Sequence, residues 1–247
     1  MFGWHGRVLR VDLAGQTISV EQIDPEVARD YIGGRGWAIK VLHDEVEPTV
    51  DPLSPENKLI FTTGPLTGTP APTGNRYMVT TKAPLTGAIA CSNSGGMYPT
   101  EMKRTGFDMI ILEGRAEQPV YLWIDARDAE EEPRVELRSA SHLWGKPVPE
   151  TTDTLLAETD ERARVACIGP AGERLVKMAS IMNDKRRGHG QQEPEGGRAP
   201  GDAGCATGRV RRDEGAVSAG TARGRRRCEK RLHAAGVRHC VRTDRDE

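Results

Sequence analysis

Residues 64–96 concentrate the groups that could bind a polar ligand. Two copies of a Pro-Leu-Thr-Gly sequence, at 65–68 and 84–87, flank a short basic strand that begins at Arg76, and an Asn-Ser-Gly-Gly sequence follows at 93–96. Glycine and proline at this density hold the backbone in tight turns, and glycine lets backbone N–H groups approach a bound anion. The pattern predicts that this stretch presents its backbone and Arg76 to a ligand. A plain surface connection is the alternative.

The rest of the sequence contains no recognisable catalytic motif. No Ser-His-Asp order, metal-ligand helix or phosphate loop with a Gly-Lys-Thr ending is present. His5, His43 and His142 are isolated, and such histidines are more often hydrogen-bonded structural residues than ligands. The five cysteines form no Cys-x-x-Cys pair, so neither zinc-ribbon nor iron–sulfur cluster spacing is found. We therefore predict ligand binding without catalytic or metal-ligating residues in this chain.

The region around Arg76 resembles the N-terminal domain of the tungsten-dependent aldehyde ferredoxin oxidoreductases. The resemblance covers roughly residues 1–187 and is specific. The segments that carry it are 64–69, 71–77, 83–87 and 93–96, with further matches at 51–58, 113–114, 141–146 and 168–173.

This resemblance implies a tungsten ion, or in some relatives molybdenum, held between the dithiolenes of two pterin cofactors that lie on this domain. Arg76 corresponds to the arginine that contacts a pterin phosphate. Asn93, Gly95 and Gly96 correspond to the contacts of the Asn-Ser-Gly-Gly sequence, and Arg187 to the arginine that begins the second pterin contact. A bidentate guanidinium suits phosphate, and an amide with bare backbone suits the pterin edge. The implied parent reaction converts an aldehyde and water to a carboxylic acid and delivers two electrons to ferredoxin.

The sequence departs from the family pattern in two respects. In the family, the cysteines that ligate a [4Fe-4S] cluster, and the residues beside the substrate, lie in later domains that this chain lacks. The Gly-rich loop expected directly after Arg187 is also missing. The chain is therefore expected to form one wall of an active site and to be inactive alone.

Hydrophobic periodicity predicts the elements that must position these loops. We expect an opening hairpin over 7–23 and helices at 25–32, 36–46, 100–105 and 153–158, the last capped by Thr151 or Thr152. Strands are predicted at 59–61, 76–82, 89–91, 109–112, 120–124, 134–137, 164–168 and 175–182. Strands outnumber helices without regular β-α-β alternation, so we predict an α+β fold of mixed or antiparallel sheets with short helices, as the resemblance also implies. Because both Pro-Leu-Thr-Gly turns lie at strand ends, residues 64–96 are expected to face one open surface.

Composition divides the chain near Arg187. The sequence is 36% hydrophobic and 4% aromatic, below the usual globular share, and arginine and glycine dominate beyond that residue. We predict a pterin-binding domain at 1–187 and a basic, disordered tail at 188–247, whose apolar surface is too small to offset its chain entropy. A net charge of −1 gives no argument for nucleic acid or a membrane surface. Without a membrane-length apolar run or a signal peptide, a cytoplasmic protein is expected, and a homo-oligomer stays open.

Three functional hypotheses are consistent with the sequence. The first is an N-terminal fragment of an aldehyde ferredoxin oxidoreductase. The second is a stand-alone pterin-binding or carrier module that pairs with a separate catalytic subunit, which an intact neighbouring reading frame for the missing domains would favour. The third interprets the basic tail as an RNA-binding arm, which strongly salt-dependent affinity would distinguish. The aldehyde, and the choice between tungsten and molybdenum, are not identified.

The tail is also predicted to be an out-of-frame translation of the family's coding sequence. Residues 189–197 can be encoded by CAT GGG CAG CAA GAA CCT GAA GGC GGN. Read one base later, the same letters spell Met-Gly-Ser-Lys-Asn-Leu-Lys-Ala, the segment that the family carries after its Gly-rich loop. A deletion with a frame change near Arg187 would remove that loop. Sequencing the gene tests the prediction, and codons that do not spell the family segment in the shifted frame would disprove it.

Overall fold

A computed structural model describes residues 3–127, 131–185, 187–188 and 205–210, the last two ranges as backbone strands only. Within these ranges, two six-stranded sheets, five short α-helices and one 3-10 helix (Ser141–Leu143) make up the fold. This confirms the predicted α+β class with mixed sheets. Every helix in the described ranges is too short or too polar to cross a lipid bilayer.

The first sheet, sheet A, carries the candidate loops. Its strand order is β2-β1-β6-β3-β4-β5, in which β1 and β6 run parallel and the other neighbours antiparallel. The central strands β3 and β6 are almost wholly buried, and each begins with a continuous hydrophobic run, at 59–61 and 109–112. The strands are β1 (Arg7–Asp12), β2 (Thr17–Gln22), β3 (Leu59–Thr63), β4 (Tyr77–Lys82), β5 (Ile89–Ser94) and β6 (Met109–Glu113).

Both faces of sheet A are covered. One face packs against α1 (Pro25–Tyr31) and α2 (Arg35–Glu45), where Trp37 and Leu42 contact a cluster that includes Ile60. Asp24 caps α1 through a hydrogen bond from the Glu26 N–H, as the Asp-Pro sequence predicts. The other face packs against the second sheet and α3 (Tyr98–Arg104).

The second sheet, sheet B, has the order β11-β10-β9-β12-β7-β8. Its strands are β7 (Val120–Ala126), β8 (Arg134–Ser139), β9 (Arg164–Cys167), β10 (Met182–Asn183), β11 (Arg187–Gly188) and β12 (Cys205–Val210). Strand β12 belongs to the tail that was predicted to be disordered. It pairs in parallel with β7 and antiparallel with β9. This pairing uses backbone hydrogen bonds, which a segment with few apolar side chains can also form. The rest of that prediction, for 189–204 and 211–247, lies outside the described residues.

Two predicted elements differ from the structure. Helix α4 (Val148–Glu158) begins five residues earlier than expected, and Thr152 lies inside it, where its hydroxyl donates to the Val148 carbonyl at 2.8 Å. The prediction of a strand over 175–182 is wrong except at its last residue. The chain leaves the short helix α5 (Pro170–Glu173) through Leu175 at a φ of +56°, a left-handed conformation that interrupts an extended strand.

A buried ion pair fixes α3 to the start of β6. Asp108 is fully buried, and its carboxylate pairs with the ammonium of Lys103, which is 6% exposed. The second carboxylate oxygen accepts a hydrogen bond from the Gly6 N–H at 2.6 Å. Burial lowers the pKa of Lys103, and the charge of Asp108 opposes this effect without cancelling it. Strand β1, strand β6 and α3 therefore meet at one charged contact.

Candidate functional site

A cleft of about 400 Å³ opens at one end of sheet A, between the β3–β4 loop and the end of β5. It brings together Arg76, Asn93, Gly95 and Gly96, four of the five residues predicted to bind a cofactor. The lining residues are Thr73, Asn75, Arg76, Asn93, Ser94, Gly95 and Gly96. Residues that are 20 positions apart in the sequence thus share one surface.

Arg76 and Asn93 contact each other at the mouth of the cleft. One guanidinium nitrogen, Nη1, donates to Asn93 Oδ1 at 2.5 Å. Both residues are exposed, and Arg76 forms no ion pair with a carboxylate in the described part of the chain. The other guanidinium N–H groups can therefore bind an anion without displacing a carboxylate.

The first Pro-Leu-Thr-Gly turn positions Arg76. The hydroxyl of Thr67 donates to the Arg76 carbonyl at 2.8 Å and accepts a hydrogen bond from the Gly64 N–H at 3.1 Å. Thr67 is 3% exposed, so this link between the two ends of the loop is shielded from water. A Cβ at Gly74 would lie 2.9 Å from the Leu66 carbonyl oxygen, which explains glycine at that position.

The second Pro-Leu-Thr-Gly turn lies elsewhere. Thr63 pairs with Tyr77 at the cleft end of sheet A, whereas Lys82 pairs with Ile89 at the opposite end. Because β3 and β4 are antiparallel, their following turns point in opposite directions. The expectation that all of residues 64–96 face one surface is therefore wrong for 84–87.

Asn75 holds the floor of the cleft. Its amide nitrogen donates to the Gly96 carbonyl at 2.5 Å, and its amide oxygen accepts from the Thr100 hydroxyl at 2.7 Å. Gly96 has a φ of +102°, a conformation that favours glycine. A Cβ at Gly95 would lie 3.8 Å from Arg76 Nε, so any side chain there would occupy space beside the guanidinium.

Sequence analysis missed two further residues behind the cleft. Asn183, on β10, accepts from the Ser94 hydroxyl at 2.8 Å and donates to the Gly95 carbonyl at 2.9 Å. The neighbouring Asp184 accepts from the Met97 N–H at 2.8 Å. Their position shortly before Arg187 was the only sequence signal for a role, since their partners lie more than 80 residues away.

The fifth predicted residue, Arg187, lies on the same hairpin as Asn183. Its backbone pairs with that of Asn183 between β10 and β11. The Arg187 side chain is outside the described part of the structure, so its contact with a cofactor stays a prediction.

The isolated histidines line other surfaces. His43 contacts Asp44 at 3.2 Å, and His142 contacts Glu158 at 3.0 Å. In the described ranges, no group of three or more His, Cys, Asp or Glu residues is placed to bind a metal ion. The described lining of the cleft consists of neutral polar groups, backbone and one cationic side chain, that of Arg76.

Comparisons with known proteins place these features in one family. Residues 8–197 match the family described as aldehyde ferredoxin oxidoreductase, N-terminal domain. The tungsten-containing aldehyde ferredoxin oxidoreductase of Pyrococcus furiosus is 53% identical over 192 residues, which are 77% of this chain and 31% of that protein. The aliphatic sulfonate oxidoreductase, WOR-like subunit, of the same organism is 32% identical over 198 residues, covering 74% of this chain and 30% of that protein.

A solved structure has the same fold. The active site complex BamBC of benzoyl coenzyme A reductase, in complex with 1,5-dienoyl-CoA, matches with a TM-score of 0.76 and 38% identity. The match covers 86% of this chain and 32% of that one. The chain therefore spans about a third of the length of the proteins that it resembles.

Proposed function

The chain belongs to the aldehyde ferredoxin oxidoreductase family through that family's N-terminal domain, and we propose that its cleft binds the pterin part of a tungsten or molybdenum cofactor. The observation that carries this proposal is the convergence of Arg76, Asn93, Gly95 and Gly96 on one cleft. Homologues with about half of their aligned residues identical are tungsten-containing enzymes.

The residues present fit such a group. Arg76 offers N–H groups that no carboxylate of the described residues occupies, and these suit a phosphate. The Asn93 amide and the bare backbone of Gly95 and Gly96 suit the polar edge of a pterin. A cleft of about 400 Å³ is within the usual range for small-molecule sites. Arg187 is proposed to add the second pterin contact.

When bound, this cofactor would supply a metal centre that accepts two electrons from the substrate. The chain's own residues would bind and orient it. Among the described residues, the side chains that line the cleft are hydroxyls, amides and one guanidinium, without a histidine or carboxylate, so a general acid or base would have to come from outside it. We accordingly propose that the domain forms one wall of an active site and is inactive alone.

We propose the activity of the full-length protein from its family membership. It comprises oxidation of an aldehyde with water to a carboxylic acid, transfer of electrons through a [4Fe-4S] cluster to ferredoxin, and a cytoplasmic location. The cluster ligands and substrate contacts would lie in the remaining two-thirds of such a protein, since this chain spans 31% of its Pyrococcus furiosus relative.

Substrate choice is proposed to reside outside this domain. The names of the relatives refer to an aldehyde, an aliphatic sulfonate and a coenzyme A thioester, yet all three proteins match the same domain. A shared binding wall serving different substrates is consistent with a role in holding the cofactor rather than the substrate.

Titration of the chain with 6-hydroxymethylpterin phosphate tests cofactor binding. We expect saturable quenching of the pterin fluorescence, weakened by inorganic phosphate because the phosphate would compete for Arg76. Unphosphorylated 6-hydroxymethylpterin is the matched control, and it should bind more weakly than the phosphorylated compound. The absence of saturable binding, or equal affinity for both pterins, would contradict the proposal.

A further inference from the structure

A polar clamp, formed by Asn183 and Asp184, joins sheet B to the lip of the cleft, residues 95–98. We propose that these two residues are positioning residues for ligand binding, which hold the backbone of Gly95 and Gly96 without touching the ligand. The inference rests on the proposed function of the cleft. It adds a role for the β10–β11 hairpin beyond the predicted contact of Arg187.

The Asn183 side chain connects sheet B to sheet A, and all of its amide donors and acceptors form hydrogen bonds. The residue is 0% exposed. Its Oδ1 accepts from the Ser94 hydroxyl at 2.8 Å and the Tyr77 hydroxyl at 3.2 Å. Its Nδ2 donates to the Gly95 carbonyl at 2.9 Å and to Asp184 Oδ2 at 3.1 Å. Because two donors and two acceptor positions are all satisfied, the amide has one defined orientation.

Asp184 holds the next part of the lip through its charge. Its Oδ2 accepts from the Met97 N–H at 2.8 Å and from the Tyr98 N–H at 3.4 Å. Asp184 and Lys185 have φ values of +50° and +64°, which are unfavourable for residues with a side chain. This rare backbone conformation occurs where the Asp184 carboxylate contacts the lip of the cleft.

The clamp and Asn75 together fix two consecutive peptide units, 95–96 and 96–97. Asn183 holds the Gly95 carbonyl, Asn75 holds the Gly96 carbonyl, and Asp184 holds the Met97 N–H. Within the described residues, the N–H groups of Gly95 and Gly96 donate no hydrogen bond to another protein group. The Gly95 carbonyl and the Gly96 N–H lie on opposite sides of one trans peptide unit, so fixing that carbonyl also fixes the direction in which the Gly96 N–H can donate to an anionic or polar ligand.

Two matched glycine substitutions separate the clamp from the strained backbone. Asp184→Gly removes the carboxylate and relieves a positive φ, whereas Lys185→Gly relieves a positive φ and removes only an ion pair with Asp153, which is 62% exposed. We expect Asp184→Gly to weaken binding of 6-hydroxymethylpterin phosphate about tenfold. Amide hydrogen exchange at Met97 and Tyr98 should accelerate in the same variant. Lys185→Gly should change neither measurement.

Asp184→Asn is the conservative variant, because its amide oxygen still accepts one N–H. We expect an affinity loss of about threefold, since a neutral acceptor is weaker than a carboxylate. This variant carries the test if Asp184→Gly does not fold.

The outcomes are distinguishable. If the unaltered chain does not bind the pterin phosphate, the proposed function and this inference both fail. If the unaltered chain binds, and Asp184→Gly binds as tightly as Lys185→Gly, only the inference fails. Accelerated exchange at Met97 with unchanged affinity would likewise overturn it, because the clamp would then be structural only.

Discussion

Replacing Asp108 with alanine is expected to lower the free energy of unfolding by about 3 to 5 kcal/mol, the usual result of breaking a buried ion pair. The substitution leaves the ammonium of Lys103 buried without its carboxylate and removes the acceptor for the Gly6 N–H. Urea denaturation at about pH 7 measures the loss. Asp30→Ala is the control, since Asp30 is 67% exposed and should change stability by less than about 1 kcal/mol.

Asp108→Asn separates the charge from the hydrogen bond, because its amide oxygen can still accept from Gly6. Burial already lowers the pKa of Lys103, and removal of the opposing carboxylate should lower it further. Between this lowered pKa of the folded state and the unfolded pKa of about 10.4, the unfolded state would bind more protons than the folded state, so stability should rise with pH in that window. A loss of stability equal to that of Asp30→Ala, with no such rise, would show that the ion pair contributes little.

Local sequence signals predicted most of the fold. Asp24 followed by Pro25 located the start of α1, because an N-cap and a first-turn proline act within a few residues. The continuous apolar run in β6 likewise identified a buried strand. The strand predicted over 175–182 failed, because the left-handed backbone at Leu175 is set by the turn after α5 rather than by apolar residue types.

The site was predictable only in part, because its geometry depends on contacts between distant residues. The family resemblance identified Arg76 and Asn93, and their contact follows from the pairing of β4 with β5. Strand direction is not encoded in local periodicity, so the second Pro-Leu-Thr-Gly turn was assigned to the wrong end of sheet A. Three of the four groups that the Asn183 amide contacts are 88, 89 and 106 residues away, and no local pattern connects them.

Arg76 is expected to contribute more to ligand affinity than any other residue of the cleft. It is the only cationic side chain among the lining residues that the structure describes, and its backbone is held by the buried Thr67 hydroxyl. A guanidinium fixed in this way loses less conformational entropy on binding than a mobile one. Asn93, the partner of Arg76, would orient the guanidinium further through its contact with Nη1.

Arg76→Ala is therefore expected to weaken binding of the pterin phosphate by about 10- to 100-fold, since a charge-assisted contact contributes roughly 1.5 to 3 kcal/mol. The affinity of Arg76→Lys should lie between those of the unaltered chain and Arg76→Ala, because an ammonium keeps the charge but loses the bidentate geometry. The matched control is Arg134→Ala, on the outer strand β8, where the side chain is 75% exposed. In a chain extended with the C-terminal remainder of a full-length relative, tungsten and pterin content should fall in Arg76→Ala and stay unchanged in the control. Equal affinity and equal cofactor content in all four proteins would remove Arg76 from the site and leave the cleft without its anion-binding group.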